Sequence, residues 1–212
     1  MRPLRRKLVL VGDEAVGKTA ILSIHTRGEF PDNHVPTVFE NYMQELWVSG
    51  APFRLSLVDT AGHPQMSTVR SLSYADTHVV ILCFAVDQPK SLMHAVERWP
   101  RELAAFCPGV ALILLATKCD LREDPMVEQR LAQQGEHPVT FEEGLEAAAR
   151  IGAHRYLECS AMHDIGIGEL FEHAARIALD EKPRGARTTQ LRRRRTHRLS
   201  VKSWFSAPEL VF

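Results

Sequence analysis

The sequence predicts an α/β protein: a mainly parallel six-stranded sheet with one antiparallel edge strand and helices on both faces. Three observations carry that expectation. Short runs rich in Val, Ile and Leu recur along the chain, the segments between them have helical spacing or loop composition, and a glycine-containing loop directly follows the first run. Alternation of this kind buries strands on both faces and forces parallel crossovers.

The elements follow in order. Residues 8–11, Leu-Val-Leu-Val, read as a buried strand, and 19–25 as the helix after the loop. Residues 44–48, followed by Ser49-Gly50-Ala51, read as one arm of a hairpin whose return arm is 53–58, which places an antiparallel strand at the sheet edge. Residues 79–86 and 111–116 are two more strands, and a last one ends at Glu158-Cys159-Ser160-Ala161. Residues 90–101, 141–151 and 167–179 have the spacing of amphipathic helices. Lys182-Pro183-Arg184-Gly185 then marks a boundary, giving a domain over 1–181 and a tail over 182–212.

With 212 residues and 45% hydrophobic content, one α/β domain plus a tail is the expected organisation. No apolar run approaches the roughly 20 residues of a membrane-spanning helix and no signal peptide opens the chain, so a cytoplasmic protein is expected. Cys83, Cys107, Cys119 and Cys159 lack metal-ligand spacing and are expected to be buried thiols. The zero net charge conceals a division: the tail carries nine Lys/Arg against one acidic residue, leaving the first 181 residues at −8.

Four motifs carry chemistry. Gly12-Asp13-Glu14-Ala15-Val16-Gly17-Lys18-Thr19 matches G-x-x-x-x-G-K-[ST], in which backbone N–H groups converge on phosphates, lysine neutralises β/γ charge and the threonine hydroxyl reaches Mg²⁺. The following helix adds its positive N-terminal end. In Asp59-Thr60-Ala61-Gly62, a carboxylate at a strand end is suited to hold Mg²⁺ through water, and the glycine can approach a γ-phosphate. Thr117-Lys118-Cys119-Asp120 matches [NT]-K-x-D, whose aspartate can accept two N–H bonds from guanine while the lysine stem flanks the ring. At Glu158-Cys159-Ser160-Ala161, the Ala161 backbone can donate to the guanine oxygen and reject adenine. All four fall where α/β sheets bind ligands, at the carboxyl ends of strands.

In this order the motifs closely resemble the Ras superfamily of small GTPases. Pro36-Thr37-Val38-Phe39-Glu40-Asn41-Tyr42 and Leu57-Val58-Asp59-Thr60-Ala61-Gly62 resemble its Rho family, over about residues 6–180, and the segment 123–138 is similar to the Rho insert helix. The resemblance implies the P-loop GTPase (G-domain) fold and a GTP-binding switch that hydrolyses GTP to GDP and phosphate in signalling to the actin cytoskeleton. It implies nucleotide contacts from Gly12, Asp13, Glu14, Ala15, Val16, Gly17, Lys18, Thr19, Thr37, Asp59, Gly62, Thr117, Lys118, Asp120, Ser160, Ala161 and Met162. Mg²⁺ is expected on Thr19, Thr37 and, through water, Asp59. Loss of the γ-phosphate would release the two switch loops from Thr37 and Gly62. Effectors are expected on residues 32–42 and exchange factors on the switch regions; the protein is expected to be a monomer that binds no nucleic acid.

Several positions depart from the family. Glu14 stands where glycine is normal, adding bulk and charge in the space of the attacking water, the catalytic glutamine and an incoming arginine finger. At about 5 Å and an effective dielectric near 20, one like-charge repulsion is roughly 3 kcal/mol, which rotation into solvent would largely erase. His63 replaces the water-orienting glutamine, Met162 a lysine and His34 a tyrosine, while His63-Pro64-Gln65-Met66-Ser67-Thr68-Val69-Arg70 departs from the acidic and aromatic switch II of relatives. Impaired hydrolysis and a persistent GTP-bound state are the expectation. Two alternatives remain open: an ordinary cycling GTPase in which His63 substitutes, and a nucleotide-poor scaffold.

Rho proteins usually end in a prenylated cysteine four residues from the C-terminus, whereas this sequence has none after Cys159, so no prenyl anchor is expected. Arg192, Arg193, Arg194, Arg195, Arg198 and Lys202, followed by Trp204 and Phe205, suit contact with the anionic cytoplasmic face of the plasma membrane. A nuclear-import patch and a solvated tail are the competing readings.

Overall fold

The computed structural model describes residues 4–31, 39–48 and 51–185. Six strands form one sheet in the order β2-β3-β1-β4-β5-β6. They are β1 (Leu4–Gly12), β2 (Phe39–Val48), β3 (Ala51–Thr60), β4 (Val79–Ala85), β5 (Ala111–Thr117) and β6 (Arg155–Glu158). All neighbours are parallel except β2 and β3, which pair antiparallel with Tyr42 opposite Leu57. The antiparallel edge expected from the 44–48 arm is therefore present and begins earlier; the turn at Ser49-Gly50 lies outside the described residues.

The helices are α1 (Lys18–Arg27), α2 (Ser67–Ser71), α3 (Pro89–Glu97), α4 (Trp99–Phe106), α5 (Pro125–Ala132), α6 (Phe141–Ile151) and α7 (Ile167–Asp180). Helices α1 and α7 cover one face, where Leu8, Leu10, Leu57, Ile81 and Ile113 meet Ile21, Leu170 and Phe171. Helices α3, α4 and α6 cover the other, where Val9, Val11, Val80, Leu82 and Leu114 meet Ala95, Trp99 and Ala148. Alternate residues of each central strand thus feed two cores, which is why β4 and β5 are buried along their whole length. Helix α6 starts at a capping box, with the Thr140 hydroxyl accepting from Glu143 N and the Glu143 carboxylate accepting from Thr140 N.

The single helix expected over 90–101 is two. Pro100 has no N–H for the Val96 carbonyl, and Arg98 ends α3 while leading into α4. The break turns Trp99 inward, fully buried. Cys107, which follows α4, is buried beside the Tyr74 carbonyl, while Cys119 is the half-buried member of four free thiols.

A buried ion pair joins α2 to α4. Arg70 is 2% exposed, donates to both carboxylate oxygens of Glu102 at 2.7 Å, and lies over the Trp99 ring at 4.6 Å. Tyr74 donates to the same carboxylate at 2.6 Å. Burial pushes the Glu102 carboxyl up, but the Arg70 and Tyr74 hydrogen bonds outweigh it and hold it below the usual carboxylate range. Glu102→Ala leaves the guanidinium buried and unpaired, so a loss of about 3–5 kcal/mol in chemical denaturation is expected. A carboxyl lowered in the folded state stabilises above its unfolded value, near pH 4.3, and that contribution fades as pH falls through the folded value. Acid unfolding of Glu102→Gln should accordingly lack part of the wild-type pH dependence below pH 5.

Candidate functional site

The first long loop leaves β1 at Gly12, where an added Cβ would come within 2.2 Å of the Cys83 carbonyl oxygen. Gly12 has φ 144° and Gly17 φ 93°, conformations that favour glycine, and Ala15 also takes a left-handed φ of 60°. Gly17 caps α1, and its carbonyl accepts from Ile21 N at 3.1 Å. The loop therefore delivers its backbone to a helix N-terminus, an anion-binding arrangement.

Lys18 is 6% exposed, and its Nζ donates to the carbonyls of Gly12 at 3.0 Å and Asp13 at 2.6 Å. Burial lowers its pKa, with Asp59 and Asp13 among the groups opposing that shift. The Asp13 carboxylate is held from outside the loop: Trp99 Nε1 donates to it at 2.9 Å, His94 Nδ1 lies at 2.5 Å and Arg98 at 3.6 Å. Asp13 thus orients the loop from α3 and α4 through its side chain.

Asp59 is fully buried at the end of β3 and accepts from Thr19 Oγ1 at 2.5 Å. Burial raises its pKa against the hydrogen bond from Thr19 and the charge of Lys18. Its Oδ1 is buried without a hydrogen-bond partner. A carboxylate oxygen left over beside a hydroxyl fits a hydrated hard cation such as Mg²⁺. Among the described residues no group of three His, Cys, Asp or Glu side chains forms an alternative metal cluster. Thr37 lies outside the described residues, as does His34.

Gly62 packs directly on the loop: a Cβ there would sit 2.3 Å from Asp13 C and from Glu14 N. Glu14 itself is exposed and has no hydrogen bond or ion pair among the described residues. His63 is exposed as well; its Nδ1 accepts from Gln65 N at 3.3 Å, capping a short 3₁₀ turn at Pro64–Met66. In that contact Nδ1 is the acceptor, the arrangement of a neutral ring protonated on Nε2. Arg70 reaches back to the carbonyls of Ala61 at 2.5 Å and His63 at 3.3 Å, tying this segment to the buried Glu102 pair.

The base motifs converge on the same edge of the sheet. Thr117 Oγ1 lies 2.6 Å from the Val16 carbonyl and 2.9 Å from the Phe84 carbonyl, stitching the first loop to β4 and β5. Lys118 is left-handed at φ 57° and pairs with Asp87 at 3.2 Å. Cys119 N donates to Cys159 O at 3.1 Å, which brings half-exposed Asp120 beside the loop of Ser160 and Ala161. Ser160 is buried and accepts from His163 N, whereas Met162 is 60% exposed, so its side chain is open to solvent rather than packed. The first loop, Asp59 with Gly62, and both base loops therefore share one end of the sheet. Motif spacing does not single out the anchors Trp99, His94, Asp87 and Arg70; a tryptophan within the helical spacing of 90–101 and an arginine at the end of the 63–70 segment are the signals the sequence holds.

A model of the Ras family matches residues 7–180. The chain is 49% identical over 182 residues to "GTP-binding protein rho1" of Schizosaccharomyces pombe, covering 85% of this chain and 90% of that protein. It is 47% identical over 182 residues to "Rho-related GTP-binding protein RhoB" of Homo sapiens, covering 86% and 93%. Against "GTP-binding protein RHO1" of Saccharomyces cerevisiae the identity is 48% over 176 residues, covering 83% and 84%.

The Gly62 contact leaves no space for a methyl group. Gly62→Ala should push the end of β3 off the Asp13–Glu14 peptide, with faster hydrogen exchange at Ala61 to Gln65 and a stability loss of about 1–3 kcal/mol.

Proposed function

The chain belongs to the Rho family of small GTPases within the Ras superfamily, and on that premise we propose that it is a switch whose GTP-bound state persists because hydrolysis is impaired. The observation that carries the reading is the commitment of His63 Nδ1 to Gln65 N. A residue that orients attacking water must accept from the water as well as donate. With Nδ1 engaged, the ring offers only the Nε2–H donor, whereas glutamine offers both a carbonyl and an amide. Glu14 adds bulk where the backbone of Gly62 already lies against Glu14 N. Because Glu14 is exposed, solvent screens its charge, and steric exclusion of an arginine finger carries more of the effect than repulsion.

In this reading the backbone of residues 12–18 and the Lys18 ammonium hold the phosphates. Asp120, Lys118 and the Ala161 backbone select guanine, with Thr117, Ser160 and Met162 around them. Thr19, Thr37 and, through water, Asp59 hold Mg²⁺. When bound, the ion neutralises charge on the β- and γ-phosphates. Gly62 donates its N–H to the γ-phosphate, and Thr37 and Gly62 together make the switch loops sensitive to that phosphate. Effectors dock on residues 32–42, of which Phe39 on the edge strand is 49% exposed; exchange factors act on the switch regions. The basic tail contacts anionic membrane. The exposure of Glu14 also favours a second reading, an ordinary cycling GTPase in which the carboxylate stays in solvent.

Single-turnover hydrolysis separates the two. The wild type should turn over slowly and respond little to a Rho-type activating protein, while Glu14→Gly with His63→Gln should gain a response on the order of 10³ or more. A strong response of the unaltered chain overturns the proposal. Chelation supplies a separate check on the metal assignment. EDTA should speed nucleotide release from the wild type, whereas Asp59→Ala, with metal affinity weakened about 10–100-fold, should release quickly before chelator is added.

A further inference from the structure

We propose that the basic tail docks on its own domain, in the groove between α3 and α6, and that this docked form withholds its arginines from anionic surfaces. The inference goes beyond the nucleotide switch and does not depend on its hydrolysis rate. The groove has a volume of about 480 Å³ and a floor that includes Leu92, Met93 and Val96. Met93 is 48% exposed, so part of that floor is open to water. Glu97, Glu136 and Glu146 line the same groove, and none of these three carboxylates has an ion pair among the described residues. Glu143 is already engaged at the α6 cap and near His137, and among the described residues Arg150 is the one permanently positive side chain of the lining. An apolar floor beside unpaired carboxylates calls for a cationic segment with interleaved apolar side chains.

The tail has that chemistry. Arg192, Arg193, Arg194, Arg195, Arg198 and Lys202 alternate with or precede Leu199, Val201, Trp204 and Phe205. Its starting point is also placed for it. Although α7 covers the opposite face, Arg184 and Thr77 exchange backbone hydrogen bonds of 2.6 and 2.9 Å. A Cβ on Gly185 would lie 2.0 Å from the Tyr74 carbonyl, and Tyr74 belongs to the core under α3, α4 and α6. The described chain thus ends at the amino edge of β4, on the side that carries the groove. Helix α6 runs toward that same edge, because Arg150 precedes the turn into β6, which is parallel to β5. Residues 186–191 extend at most about 20 Å, a tether longer than the roughly 16 Å of the 11-residue α6 that lines the groove. Tethering supplies an effective concentration near the millimolar range, enough for weak ion pairs to hold the segment.

Hydrogen exchange on the full chain at low salt tests the docking. Residues 89–97 and 141–150 should exchange about fivefold more slowly in the wild type than in either of two full-length variants, a difference that a few exposed ion pairs supply. One variant carries Glu97→Gln, Glu136→Gln and Glu146→Gln; the other carries Arg192→Gln, Arg193→Gln, Arg194→Gln and Arg195→Gln. The protection should be independent of protein concentration and should disappear when vesicles of phosphatidylserine in phosphatidylcholine bind the protein. Equal exchange in all three proteins overturns the proposal. So does protection that grows with concentration, which marks a second copy in the groove, or groove protection that persists while the protein sediments with vesicles.

Discussion

The buried ammonium of Lys18 draws the carbonyls of Gly12 and Asp13 inward, and the rest of the site is arranged around the loop shape this imposes. With those two carbonyls turned toward the lysine, the loop can present amide groups on its other side. Three further attachments keep that shape: Trp99 and His94 on the Asp13 carboxylate, the Thr117 hydroxyl at the Val16 carbonyl, and the Gly62 backbone against the Asp13–Glu14 peptide. Each arrives from a different element, so the geometry of one loop constrains β3, β5 and the α3–α4 junction together.

The Arg70–Glu102 pair extends this constraint into the segment after Gly62. Arg70 donates to the carbonyls of Ala61 and His63 and is sandwiched between Glu102 and the ring of Trp99, whose Nε1 binds Asp13. A change at the phosphate loop therefore meets the same buried charges that hold the segment bearing His63. Because interior packing is dense and the pair is buried, such a cluster resists gradual deformation and favours discrete arrangements. Glu14 stands apart from it, exposed on the loop.

Much of the fold was legible in the chain. The Leu-Val-Leu-Val run before the loop and the apolar runs of β4 and β5 are continuous because both faces are covered, and the 141–151 helix matches the structure end to end because a capping box and Gly152 bracket it. The apolar spacing of 90–101 continues across Pro100 and so predicts one helix, but the missing N–H divides it and turns Trp99 into the core. Cys107 is buried as expected, with its thiol beside the Tyr74 carbonyl.

What the sequence alone determined are features in which chemistry lies within a few consecutive residues: the phosphate loop, the Asp59 to Gly62 run, the two base motifs, the departures at Glu14 and His63, and the segregation of basic charge into the tail. Tertiary structure decided what those residues touch. The anchoring of Asp13 by Trp99 spans 86 positions, Thr117 reaches back 101 positions to Val16, and Arg70 meets Glu102 across 32. Local pattern carries no record of such pairings, because they arise only when the sheet brings its strand ends to one edge. The orphan oxygen of Asp59 and the committed nitrogen of His63 have the same origin: hydrogen-bond capacity belongs to a side chain, but whether it is spent depends on its neighbours in space.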